Sequence, residues 1–138
     1  MREDSVTYSV TSPKRDTAFR SIVVREYDFA CAVCGLKFQL HSLIEATAAH
    51  IIPKHKNGTD DPRNGISLCR THHWAFDEGI FGLSDSYEIL LSPAVRASNH
   101  RRFPLFEMDG QIVNLPNNEY LRPHLDAVKW HRENTLLR

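Results

Sequence analysis

The stretch AAHIIPKHKNGTDDPRNGISLCRTHHWAFDEG, residues 48–79, carries the pattern that decides the fold. An apolar run leads into it and ends at Pro53, which fits a strand over residues 42–53 closed by the proline. Residues 54–65 are turn chemistry throughout, with two Asn-Gly pairs and an Asp-Pro. ISLC, 66–69, reads as a second short strand. RTHHWAFDEG, 70–79, reads as a short helix with Thr71 as a cap candidate and Gly79 as its stop. The order is therefore strand, long loop, strand, helix.

That helix contains adjacent histidines, His72 and His73. Neighbours on a helix point about 100° apart, so the two cannot easily serve one centre from one face. Either one is incidental or they face two different sites.

Outward from this segment, PKRDTAFRSIVVREYD from about Pro13 has a helical pattern, with Phe19, Ile22, Val23 and Tyr27 near one face. Short strands are expected after Gly79, in YEILLSP and in FEMDGQIVNLP. RPHLDAVKWHRENTLL closes the chain as an amphipathic helix, with Leu125, Val128 and Leu136 or Leu137 as core candidates. Trp74, Phe76 and Trp130 are expected to pack in the core. The fold class is α+β. With 138 residues and no long linker, the expectation is one domain over 16–138 after a loose segment, 1–15.

The charges balance at 17 basic and 17 acidic side chains, which argues against holding nucleic acid by bulk charge alone. No apolar run approaches the ~20 residues that span a bilayer. The first residues lack the apolar stretch of a secretory signal. A cytoplasmic protein without membrane contact is the expectation.

Cys31, Cys34 and Cys69 are the three cysteines, an odd number that cannot form a closed disulfide set. Cys31-x-x-Cys34 and Cys69-x-x-His72 are two metal hooks of equal spacing. Zinc takes four N or S ligands in a tetrahedron, and two hooks supply all four. The alternative is three buried free cysteines and an unrelated histidine. If His72 goes to zinc, His73 is released for other chemistry.

His50, Asn64 and His73 fall at the strand end, the loop end and the helix. Together with CAVCG, AHIIPKHKNGTDDPRNGISLC and HHWAFDEG, they resemble an HNH endonuclease, the group built on a ββα-metal core, and most closely the AAHI…HHxxFD branch found in restriction endonucleases. The resemblance implies a core over about 44–79, stapled by a structural zinc and flanked by terminal helices and short antiparallel strands. It implies a nuclease of restriction or DNA defence. His50 would be the general base, Asn64 the residue that holds the loop and helps fix His50, and His73 a ligand of a catalytic Mg²⁺ or other divalent transition metal.

Many members of the family carry a metal-binding aspartate immediately before the first histidine, where this chain has Ala49. Asp77, one helical turn after His73, is the first candidate to replace it, with a structural role as its alternative. Glu45 is a weaker candidate, since alternation along a strand puts it opposite His50. Lys54, Lys56, Arg63 and Arg70 are candidates for contact with the backbone of double-stranded DNA. Cutting both strands with one site per chain favours a two-fold homodimer. The competing function is a catalytically inactive, zinc-stabilised DNA-binding module.

Overall fold

The computed structural model describes residues 13–138. The expected loose segment lies outside the described residues for 1–12, while residues 13–15 form the first turn of helix α1 (Pro13–Glu26). Phe19, Val23 and Val24 are its buried face, with Tyr27 buried just past its end.

The expected strand over 42–53 is two strands. β2 (Leu43–Ile44) pairs with β1 (Gln39–Leu40) in an exposed hairpin, and β3 (Thr47–His50) is separate. The break falls at Glu45 and Ala46. The Glu45 amide still donates to the Phe38 carbonyl at 3.1 Å, while its carboxylate accepts the amide of Arg70 at 3.3 Å. β3 pairs antiparallel with β4 (Gly65–Leu68), with Thr47 opposite Leu68 and His50 opposite Gly65. Helix α2 (Arg70–Asp77) follows directly. Its cap is Cys69 rather than Thr71, because the Cys69 sulfur accepts the amide of His72 at 3.5 Å. Strand, loop, strand and helix thus form a ββα unit, and α1 packs across β3 and β4.

The later chain supports this unit. β5 (Phe81–Leu83) and β6 (Ile89–Leu91) form a hairpin, and α3 (Pro93–Ser98) replaces any continuation of β6. FEMDGQIV forms a 3-10 turn over Phe106–Met108 and a single bridge between Ile112 and Glu88. The core joins Phe19, Ile51, Ile66, Leu68, Phe76, Phe81, Leu83 and Ile89. Each such side chain contributes roughly 1.5–3 kcal/mol by leaving water.

Helix α4 (Leu125–Asn134) turns inward Ala127, Val128 and His131, whereas Leu125 and Leu137 are exposed. His131 stacks on Phe76 at 3.8 Å between ring centroids and donates its Nε2 proton to the Phe76 carbonyl at 2.9 Å. The chain after α4 then crosses the end of α2, where the Leu137 amide donates to the Gly79 carbonyl at 2.9 Å. Gly79 has φ +75°, and a Cβ there would lie 2.0 Å from the Thr135 carbonyl oxygen. Glycine therefore ends α2 and also lets the C-terminal segment close over it.

Burial lowers the His131 pKa to about 4, outweighing its hydrogen bond to Phe76, so the folded protein holds it neutral. The unfolded chain protonates near pH 6.5. His131 therefore stabilises the fold fully above pH 6.5, and that contribution is lost as pH falls towards 4. The loss is about 3 kcal/mol. Calorimetry at pH 7 and pH 4.5 should show a smaller acid-induced drop in Tm for His131→Leu than for the native chain.

Candidate active site and metal centre

The two cysteine hooks converge. Ligand atoms of Cys31, Cys34, Cys69 and His72 all lie within 4.8 Å of one another. His72 Nδ1 is 3.7 Å from the Cys31 sulfur and 3.2 Å from the Cys69 sulfur, and the Cys34 and Cys69 sulfurs are 4.0 Å apart. A tetrahedron with zinc–sulfur bonds near 2.3 Å has edges of roughly 3.8 Å, so the four donors fit this ion. The hooks also share a local form. The amide of Cys34 donates to the Cys31 sulfur, and that of His72 to the Cys69 sulfur, each at 3.5 Å.

Two further observations select a cation. His72 Nε2 lies 2.6 Å from the Pro104 carbonyl, which can only accept, so Nε2 carries a proton and Nδ1 is the atom that faces the sulfurs. Burial opposes ionisation of Cys31, yet His72 and nearby backbone amides bring its pKa down to about 6. Burial pushes Cys69 up to about 12, helped by negative charge on Cys31 and Cys34. Three thiolates cannot share this space without a positive ion, and the set could hold a zinc.

On the other side of α2, His50 and His73 line one cleft of about 360 Å³, together with Lys54, His55, Asp77 and Glu78. His73 Nδ1 is 2.6 Å from Thr47 Oγ1. That hydroxyl donates to the Leu68 carbonyl at 3.1 Å, so it accepts from His73 Nδ1. His73 Nε2 then faces the Asp77 carboxylate, 3.3 Å away, a contact met either by a proton on Nε2 or by a cation beside the pair. One imidazole nitrogen and one carboxylate oxygen suit a divalent ion that keeps water on its remaining positions.

His50 is fixed from several directions. Its ring stacks on Phe19 at 4.1 Å with 10° between planes. Gly65 lies opposite His50 in the ladder, and a Cβ there would meet the Phe19 ring at 2.7 Å. The Asn-Gly pair at 64–65 therefore makes room for the ring that braces His50. His50 Nε2 is 2.9 Å from Asp60 Oδ1, and Lys54 Nζ is 2.7 Å from Asp60 Oδ2. Burial lowers the His50 pKa despite Asp60, leaving the imidazole neutral at pH 7. Asp60 is the residue that sequence reasoning missed as part of the site. Neither a motif nor a spacing marked it.

Asn64 is fully buried. Its amide oxygen accepts from the Ile52 amide at 2.9 Å, and its nitrogen donates to the Ile52 and Thr59 carbonyls at 3.0 Å each. It touches the loop, not the cleft. Ala49 is also wholly buried, on the strand face it shares with Thr47, whose hydroxyl meets His73.

The candidate DNA contacts separate. Lys54 is bound to Asp60, and Arg63 pairs with Asp61 at 2.7 Å. Lys56 is exposed, and the Arg70 side chain is 71% exposed at the start of α2. Phe76 is buried as expected, but Trp74 is 54% exposed and is not a core residue. It is two positions from Phe76 and so points about 200° away around the helix. Trp130, also expected in the core, is only partly buried and lines a hollow beside the cleft.

Residues 31–84 match the HNH endonuclease family, a span that contains both the cysteine–histidine centre and the His50/His73 cleft. This segment is similar to an HNH endonuclease core. A solved structure described as the modification-dependent TagI restriction endonuclease shares the fold over 96% of this chain, with a TM-score of 0.63 and 23% sequence identity. The chain spans 43% of that protein's length. No curated protein sequence matches the chain.

The twin histidines should separate experimentally. His72→Ala should lower bound zinc and drop Tm by roughly 10 °C or more, the scale of losing a structural metal. His73→Ala should keep both zinc content and Tm near native. Equal zinc loss in the two variants would contradict this division.

Proposed function

We propose that this protein is a metal-dependent DNA endonuclease acting in DNA defence. The observation that carries the reading is the placement of His50 and His73 across one cleft, each with its nitrogens differentiated by hydrogen bonding. His50 is neutral and held rigid, so it can take a proton from water as that water attacks phosphorus. His73 and Asp77 would hold the divalent ion, which offsets charge building on the phosphate and on the departing 3′ oxygen. Asn64 supports the loop that fixes His50. A zinc held by Cys31, Cys34, Cys69 and His72 would tie α2 to the strands and keep His73 on the cleft side.

Two similarities support DNA as the substrate: the endonuclease family of the core segment, and the fold shared with a restriction endonuclease. Lys56 and Arg70, on the solvent side, would contact phosphate. The 3.9 Å approach of Arg70 to Glu45 is an exposed pair that DNA phosphate can replace. Such contacts read little sequence, so site choice belongs to other surfaces. A two-fold dimer would bring two clefts to the two strands.

Plasmid cleavage with Mg²⁺, Mn²⁺, Co²⁺ or Ni²⁺, on unmodified and cytosine-modified DNA, tests the reading. Metal-dependent nicking or linearisation should appear and fall by at least about 10²-fold in His50→Ala. Asp77→Asn should keep activity at high Mn²⁺ but raise the concentration required roughly 10-fold or more. No cleavage by folded, zinc-loaded protein on any substrate would favour the inactive binding module instead. In DNA binding, Arg70→Ala and Lys56→Ala should each reduce the slope of log affinity against log salt by about 1.

A further inference from the structure

We propose that Asp60, clamped by Lys54, is a positioning residue that holds His50 with its proton on Nε2, so that Nδ1 is the atom that accepts a proton from water. The inference rests on the reading of His50 as the base and names the group that makes it one.

The Asp60 side chain is only 2% exposed. A buried carboxylate is costly unless its oxygens are occupied by donors. Both are: Oδ1 by His50 and Oδ2 by the Lys54 ammonium. Burial alone would favour the protonated acid, but Lys54 and His50 outweigh it and hold Asp60 below the usual carboxylate range. An ionised carboxylate only accepts, so the proton in the 2.9 Å contact belongs to His50 Nε2. A neutral imidazole has one N–H. Its lone pair is therefore on Nδ1.

The support for Asp60 leads back to Asn64. The Asn64 amide donates to the carbonyl of Thr59, the residue before Asp60, while its oxygen accepts the amide of Ile52, two residues after His50. One side chain thus sets the separation of the two chain segments that the His50–Asp60 contact bridges. The Ile51 amide, next to His50, also donates to the Asn64 carbonyl at 2.8 Å.

Asp16 on α1 approaches the same pair, with donor atoms of Asp16, His50 and Asp60 within 4.8 Å of one another. This trio does not recommend itself as a cation site. Both Asp60 oxygens are taken by N–H donors, one of them already a cation, and Asp16 pairs with Arg20. The charged and titratable groups around His50 are Asp60 and Lys54 from the loop and Asp16 from α1. His55, His73, Asp77, Glu78 and the buried His131 share its cleft.

The test compares native protein, Asp60→Asn, Asp60→Glu and His50→Ala in single-turnover cleavage across pH with Mn²⁺, alongside zinc content and Tm. Asp60→Asn should lower the cleavage rate roughly 10²- to 10⁴-fold with little change in DNA affinity. Asp60→Glu should recover part of the rate. The acid limb of the residual activity should move to lower pH, because the lost carboxylate was raising the His50 pKa. A native rate, or an unmoved acid limb with lowered Tm, would overturn the role.

If His50→Ala remains active, the reading of His50 fails; if it is inactive while Asp60→Asn is native, only the role of Asp60 fails. ¹⁵N spectra of the imidazoles in the native chain need neither cleavage nor a folded variant. His50 protonated on Nε2 is the expected result, and His50 protonated on Nδ1 would overturn the proposal.

Discussion

The buried amide of Asn64 is the contact through which the rest of the site is held. It closes the long loop by bonding Ile52 on one side and Thr59 on the other, with every polar atom of its side chain used. A loop of this composition has no regular ladder to satisfy its backbone, and leaving those groups unpaired in the interior would cost about 1–3 kcal/mol each. Asn64 satisfies three of them at once. Ile52 and Thr59 in turn flank the ends that present His50 and Asp60, so a packing requirement and a chemical one are met by the same side chain.

Helix α2 organises the remaining chemistry by its angular spacing. His72 enters the cysteine cluster with Nδ1, while its Nε2 is tied to Pro104 from a distant loop. His73, one residue on, faces the opposite cleft and is oriented by Thr47 of the neighbouring strand. The first position is closed, with four protein donors around one point. The second is open, with one nitrogen and one carboxylate. Closed and open donor sets are what distinguish a structural ion from one that still has room for water and substrate. A single short helix carries both because adjacent residues diverge by about 100°.

Much of this was legible in the chain. Equal spacing of the two hooks, their use of every cysteine, and the doubling of histidine at 72 and 73 were enough to expect one four-donor cluster with His73 outside it. The ββα order followed from a proline-closed run, a turn-rich loop and a glycine stop. Less was visible where tertiary contacts override local pattern. Glu45 interrupts an otherwise continuous strand pattern, and Thr71 yields the cap position to Cys69, whose sulfur takes both an amide and a place in the cluster. Periodicity separates Trp74 from Phe76, yet hydrophobicity alone places both inside.

The adjacent aspartates show where sequence reading stops. Asp61 caps the turn at Arg63 and pairs with its guanidinium, contacts two residues away that the local sequence already contains. Asp60 looks the same on paper, but its partners, His50 and Lys54, are brought to it by the closed loop. Residue types and short spacings by themselves marked the metal hooks and the ββα order, and the pairing of His50 with His73 rested on the resemblance to HNH endonucleases. The His73–Asp77 contact follows from one helical turn, but only the tertiary structure decided that Asp60 meets His50. Such a contact depends on the path of the loop between them, and that path is set by buried hydrogen bonds rather than by distance along the chain.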